Sequence, residues 1–310
     1  MDLTLGFASI VISLLFVVSF QKYFIRNNII DKVNKRSSHN ELATRSGGIA
    51  IFSTLFVISC YYYVSANEIY DFSLLIPLLI LTVVGLYDDI YEVDFKLKFI
   101  FQIIIAKIII DSGLVIDNFH GVLGFYEISR IAAQILTIFI IVAIINAINF
   151  IDGIDGLAIS AVIFFITAFE FFIYYQSPYY YISHIILVSL IPLYYFNYRK
   201  KNKVFLGDSG SLFLGTLVSI YTIYILGNEY IIKEEYDLNK IIFVFSILTY
   251  PIIDIIRVFF IRLFKGKSPF IADKNHIHHH LIKKFKSHKL VVLGIYIVNI
   301  LIIIILQIIF

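Results

Sequence analysis

Apolar stretches about as long as a bilayer is thick recur along this chain, and no other sequence feature narrows the fold so far. Ten of them fall at approximately 2–20, 47–65, 72–87, 97–111, 130–148, 156–175, 180–197, 211–227, 241–264 and 290–310. A helix needs roughly 20 apolar residues to cross the hydrocarbon core, where each backbone N–H and C=O must be satisfied within the element. The expected fold is an all-α polytopic membrane protein with about ten transmembrane helices, forming a single integral membrane domain over residues 1–310. Composition agrees: charged residues are 15% of the chain, against about 25% in soluble domains. The first stretch carries Asp2 rather than basic residues and lacks a small-residue cleavage site, so it is read as a span rather than a leader. Cys60, the single cysteine, excludes an intrachain disulfide and a cysteine metal cluster.

Charge is divided unequally between the two sides. Alternate connections at 21–46, 88–96, 149–155, 198–210 and 265–289 contain eighteen of the 25 lysines and arginines, whereas the opposite connections hold only Lys233 and Lys240, with Arg130 at a span edge. Basic residues accumulate on the cytoplasmic side. The first set is therefore expected to face the cytoplasm and both termini to face outside.

The unusual polar residues gather in those same basic connections, and the active site is expected at that cytoplasmic face. Transporters usually place polar groups at the bilayer midplane, so the one-sided arrangement argues against a transporter or flippase and for a reaction at a membrane surface. Asp88 and Asp89 end the third stretch. Adjacent carboxylates repel unless a cation or proton lies between them, although a bare pair equally describes a solvated helix end. Asn146, Asn149, Asp152 and Asp155 recur every third residue in NAINFIDGIDGLA, with Gly153 and Gly156 opening the backbone. Oxygen donors at that spacing suit Mg2+ or a sugar or base. A capped helix end accounts for one Asp-Gly but poorly for two. FLGDSGS at 205–211 places Asp208 at a helix start, as an anion-binding turn or a simple N-cap. His276, His278, His279 and His280 follow in the most basic loop. They suit phosphate oxygens, zinc, or plain solvation.

Other polar residues lie within the stretches. Asp254 and Arg257, one turn apart, are expected to neutralise each other, and Lys107 is expected to pair with Asp111. Glu170 receives no assignment.

Together, in this order, DKVNKRSSHNELATRSGG at 31–48, Asp88-Asp89, NAINFIDGIDGLA at 146–158, FLGDSGS at 205–211 and SPFIADKNHIHHHL at 268–281 resemble the polyprenyl-phosphate N-acetylhexosamine-1-phosphate transferase family, closest to its WecA/TagO-type branch. The resemblance implies transfer of a sugar-1-phosphate, GlcNAc-1-phosphate or a related N-acetylhexosamine-1-phosphate, from a UDP-sugar to undecaprenyl or another polyprenyl phosphate. UMP leaves, and a cell-envelope glycan such as O-antigen or a teichoic acid linkage unit is begun. The alternative within the family is transfer of phospho-MurNAc-pentapeptide. The resemblance further implies Mg2+ or Mn2+ held by Asn149 and Asp208, and a catalytic set of Asp88, Asp89, His278 and His279. Substrate-binding positions would be Asn146, Asp152, Asp155, His276, Lys98, His39, Arg45, Gly48 and Arg262. The setting would be the bacterial cytoplasmic membrane, with a homodimer compatible and no nucleic acid as partner.

Overall fold

The structure is a computed structural model that describes residues 3–31, 43–119, 121, 124, 126–227, 229–236, 239–266 and 275–309. Among them are twelve α-helices: α1 (Leu3–Arg26), α2 (Gly47–Val64), α3 (Leu75–Tyr91), α4 (Phe95–Asp111), α5 (Arg130–Ile151), α6 (Leu157–Phe172), α7 (Tyr180–Asn197), α8 (Gly207–Leu226), α9 (Lys240–Ile247), α10 (Thr249–Phe264), α11 (Ile277–Phe285) and α12 (His288–Ile309). The described sheet is one parallel pair, β1 (Ala43–Thr44) with β2 (Lys203–Val204).

Each of the ten expected stretches carries a helix, with α9 and α10 sharing one. Among the described residues, six spans are long and apolar enough to cross a bilayer, or seven if α9 and α10 count together. That is fewer than the expected ten, and the reasons are local. The helices α4 and α6 have 17 and 16 residues. At about 1.5 Å per residue the shorter is roughly 24 Å long, less than the ~30 Å core. Tyrosines, His184 and Asn197 dilute the apolar character of α7. Between α9 and α10 the chain bends by 77°. Pro251 stands in the first turn of α10, where its missing N–H is harmless but where it ends the hydrogen bonding of α9.

The chain divides into two compact units, Met1–Phe101 with Gln176–Leu214, and Gln102–Tyr175 with Gly215–Phe310. In the first, α1 packs on α2 and α7, and α2 on α3. Ser13 Oγ donates to the Ser189 carbonyl at 2.7 Å, tying α1 to α7. In the second, α5 packs on α6 and α10, and α12 on α9 and α11. An aromatic cluster of Phe169, Tyr221, Tyr230 and Phe243 fills its core. Large apolar side chains such as Leu15, Phe139, Ile256 and Leu301 point outward, as a lipid-facing surface requires. Lys107 pairs with Asp111 as expected.

Candidate active site

In the first unit the site is assembled around the start of α8. The β1–β2 pair runs on into the backbone of FLGDSGS: Phe205 N donates to the Thr44 carbonyl (2.8 Å), Gly47 N to that of Phe205 (3.0 Å) and Gly48 N to that of Leu206 (2.8 Å). A β-carbon on Gly48 would overlap the Gly210 backbone, and one on Gly85 would overlap that of Asp208. Glycine is required there because three backbones meet with no room for a side chain. This brings the end of α3 against the α8 N-terminus. Asp89 then accepts from Asp208 N at 2.8 Å and from Ser209 N at 2.9 Å, one bond per carboxylate oxygen. The first N–H groups of a helix lack intrahelical partners and carry partial positive charge, and here a carboxylate from another helix satisfies two of them.

Asp88 points elsewhere. Its Oδ1 accepts from Val93 N at 2.7 Å, and its Oδ2 accepts from Lys98 Nζ at 3.0 Å. The same Nζ lies 2.7 Å from Asp208 Oδ2. Lys98 therefore bridges two carboxylates that reach it from α3 and α8. Arg45, half-exposed, pairs with Asp31 at 2.7 Å. Burial works to lower the Arg45 pKa, but the charges of Asp31, Asp89 and Asp208 outweigh it and raise the value.

In the second unit the residues of NAINFIDGIDGLA lie at the end of α5, in the turn after it and in the first two positions of α6. Asn146 exchanges hydrogen bonds with Gln102, its Nδ2 donating to Gln102 Oε1 at 2.7 Å. Asn149 and Asp152 are half-buried. Asp155 is buried, and its Oδ2 lies 2.8 Å from His288 Nδ1. Buried Arg262 sits over the Phe150 ring at 5.9 Å. The rings of His276, His278 and His279 form one group, with 4.3 Å between the centroids of His278 and His279. Burial, then the charge of His279, push His278 down to about 3.

A model of glycosyl transferase family 4 matches residues 71–226, which include Asp88, Asp89, Lys98, the Asn/Asp-Gly run and Asp208. A probable undecaprenyl-phosphate N-acetylglucosaminyl 1-phosphate transferase of Bacillus subtilis is 31% identical, covering 89% of this chain and 75% of that protein. The chain belongs to glycosyl transferase family 4. Another similar protein is the undecaprenyl-phosphate alpha-N-acetylglucosaminyl 1-phosphate transferase of Haemophilus influenzae, 30% identical over 82% of this chain and 72% of that one. The decaprenyl-phosphate N-acetylglucosaminephosphotransferase of Mycobacterium leprae is 28% identical, over 84% and 72%.

The family 4 residues named from sequence form two groups, each inside one unit. Asp88, Asp89, Lys98, Asp208, Arg45 and Gly48 form the first, and Asn146, Asn149, Asp152, Asp155, His276, His278, His279 and Arg262 the second. His39 and the segment 268–274 lie outside the described residues. One expectation is corrected. Asp254 pairs with His276 at 2.7 Å, while Arg257 donates to the Asn275 carbonyl at 2.6 Å, so the two do not neutralise each other. The histidine segment packs on α10 and offers each of them a nearer partner. Sequence reasoning missed His288, Gln102 and Tyr250. His288 lies 133 residues from Asp155, outside any motif. Tyr250 and Asp254 carry a faint signal in their four-residue spacing.

Among the described residues no three His, Cys, Asp or Glu side chains are grouped to hold a metal ion, which leaves zinc unsupported there. Mg2+ needs no such cage, because it takes one or two carboxylates and completes its shell with substrate phosphates and water. The hard carboxylate oxygens of Asp208 fit such an ion, with the Lys98 ammonium as the cation it would have to displace.

Proposed function

We propose that this chain transfers GlcNAc-1-phosphate from UDP-GlcNAc to undecaprenyl phosphate at the cytoplasmic face of a bacterial cytoplasmic membrane, releasing UMP. The observation that carries this reading is the Asp88–Lys98–Asp208 bridge at the α8 N-terminus, within the region matched to the family. Phosphate attacking pyrophosphate must overcome like-charge repulsion, so catalysis is mainly positioning and charge compensation. Lys98 and Arg45 supply fixed positive charge. Asp208 is the proposed Mg2+ or Mn2+ ligand of the first unit, and the ion, when bound, offsets negative charge on the reacting phosphates. Asp88 is assigned to the lipid phosphate. Asp89 holds the α8 backbone, and so Asp208, in place. Asn149, Asp152 and Asp155 serve the nucleotide diphosphate and its cation, and the histidines its phosphate oxygens. One phosphoanhydride is broken and one formed, so direct attack requires no further energy source and is reversible. Both termini are assigned to the outside.

Purified protein given undecaprenyl phosphate and a panel of UDP-sugars is expected to release UMP with UDP-GlcNAc and to stop on chelation. Release only with UDP-MurNAc-pentapeptide, or full turnover in excess chelator, overturns the assignment.

A further inference from the structure

Tyr250, Asp254 and Arg257 occupy positions i, i+4 and i+7 of α10 and so share one face. That face holds residues 275–278. The Tyr250 hydroxyl lies 3.0 Å from His278 Nδ1. Asp254 Oδ2 lies 2.7 Å from His276 Nδ1, and Asp254 Oδ1 accepts from Ile277 N at 2.7 Å. Arg257 Nη1 donates to the Asn275 carbonyl at 2.6 Å. Tyr250, Asp254, His276 and His278 are all buried, His278 completely.

Both imidazoles thus commit their Nδ1 edges to α10. The rings are nearly parallel, with 14° between planes and 5.5 Å between centroids, so both Nε2 edges turn away from α10. His278 Nε2 is buried and has no hydrogen-bond partner among the described residues. It is also the atom that a β-carbon on Gly153 would strike, at 2.5 Å. Gly153 belongs to the turn between Asp152 and Asp155. Burying a ring nitrogen without a partner is costly, and a ligand oxygen at that turn would remove the cost.

We propose that Tyr250 and Asp254 are positioning residues of the transfer reaction, fixing His278 and His276 so that their Nε2 edges meet phosphate oxygens of the UDP-sugar at the Gly153 turn. The inference rests on the transferase reading above. The partner of one ring nitrogen sets which nitrogen carries the hydrogen. Tyr250 donates its hydroxyl hydrogen to Nδ1 of His278, which leaves the ring hydrogen on Nε2 as a donor. Asp254 lies against Nδ1 of His276 and fixes the orientation of that ring beside His278. A ring N–H donor suits an oxyanion.

Double-mutant cycles on UDP-GlcNAc binding to the purified full-length protein, measured by calorimetry, test this. Tyr250→Phe removes a single hydroxyl and preserves the ring that packs. Tyr250→Phe and His278→Gln are each expected to weaken binding, by about tenfold for a lost hydrogen bond to a charged group. The double variant is expected to bind no worse than His278→Gln alone, because Tyr250 acts through His278. Asp254→Asn with His276→Gln forms the second cycle. Tyr250 serving only to stabilise the helix would lower the melting temperature and give losses that multiply, and multiplied losses in both cycles overturn the proposal. Wild-type protein that binds UDP-GlcNAc but releases no UMP overturns the transferase reading, while the binding cycles still decide the positioning. Wild-type protein that fails to bind UDP-GlcNAc overturns both.

Discussion

His278 is completely buried, and its folded-state pKa of about 3 lies below the ordinary value of 6.5. Between those two pH values the unfolded chain binds a proton that the folded protein refuses. Stability therefore falls as pH drops from 6.5 toward 3. Thermal unfolding in detergent at decreasing pH should show this slope, and His278→Gln should flatten it; an unchanged slope would contradict a neutral, buried His278. Asp208 and Asp89 also separate at this scale. Asp208→Asn is expected to lower turnover by about 10²- to 10³-fold, as removal of a charge-stabilising group does, with little change in melting temperature. Asp89→Asn is expected to lower the melting temperature as well, since loss of a helix cap costs about 0.5–2 kcal/mol. Equal melting temperatures for the two variants would remove the capping role.

The α8 N-terminus is the element on which the first residue group is built. It is held by backbone pairing from residues 44–48, by Asp89, and by glycine contacts. Gly48→Ala is expected to destabilise the protein by about 1–3 kcal/mol, the usual cost of overpacking, because the new methyl overlaps the Gly210 backbone. Denaturation measured against wild type checks this, and a neutral result would mean that α8 can shift freely. In the second unit His288, the first residue of α12, contacts Asp155 through both its carboxylate and its backbone nitrogen. His288→Ala is expected to weaken UMP binding by roughly fivefold, equivalent to one ordinary hydrogen bond; unchanged competition by UMP would exclude it from the nucleotide turn. The helices themselves were legible from hydropathy because lipid demands long apolar runs. The bend at Leu248 was not, since an apolar run continues from one side of it to the other. The nine-residue α11 was read as loop, because its apolar positions are interleaved with histidines and lysines. The two-residue strands β1 and β2 are too short to leave a pattern.

At the scale of the molecule, the lysine and arginine distribution makes a prediction about sidedness. Single cysteines replacing exposed Lys200 and Lys284, in a Cys60→Ser background, should be labelled only after membranes are permeabilised. A cysteine replacing exposed Asn67, in an opposite connection, should be labelled from outside. The reverse pattern would invert the topology. Much of the candidate site was legible from sequence because its residues are polar in a chain where polarity is rare. Asp88, Asp208 and the Asn/Asp-Gly run stand out against isoleucine and phenylalanine. Their partners were not legible: the Asp254–His276 and Asp155–His288 pairs join residues 22 and 133 positions apart, and only packing brings them together. Periodicity along one helix pointed instead to the wrong partner for Asp254.

The bridge made by Lys98 has a consequence for the order in which the protein is loaded. Its ammonium already sits 3.0 Å from Asp88 and 2.7 Å from Asp208. A free cation arriving there competes with one that is covalently tethered and cannot be diluted away. Tethering corresponds to an effective concentration of about millimolar or more. The chain alone should therefore be a weak trap for Mg2+. Elemental analysis after extensive dialysis is expected to find less than one ion per chain, rising when UDP-GlcNAc is present to contribute its own oxygens. On this view the ion enters as the partner of the nucleotide rather than as a resident of the protein. Lys98→Met should reverse that order, retaining Mg2+ more tightly while turning over more slowly.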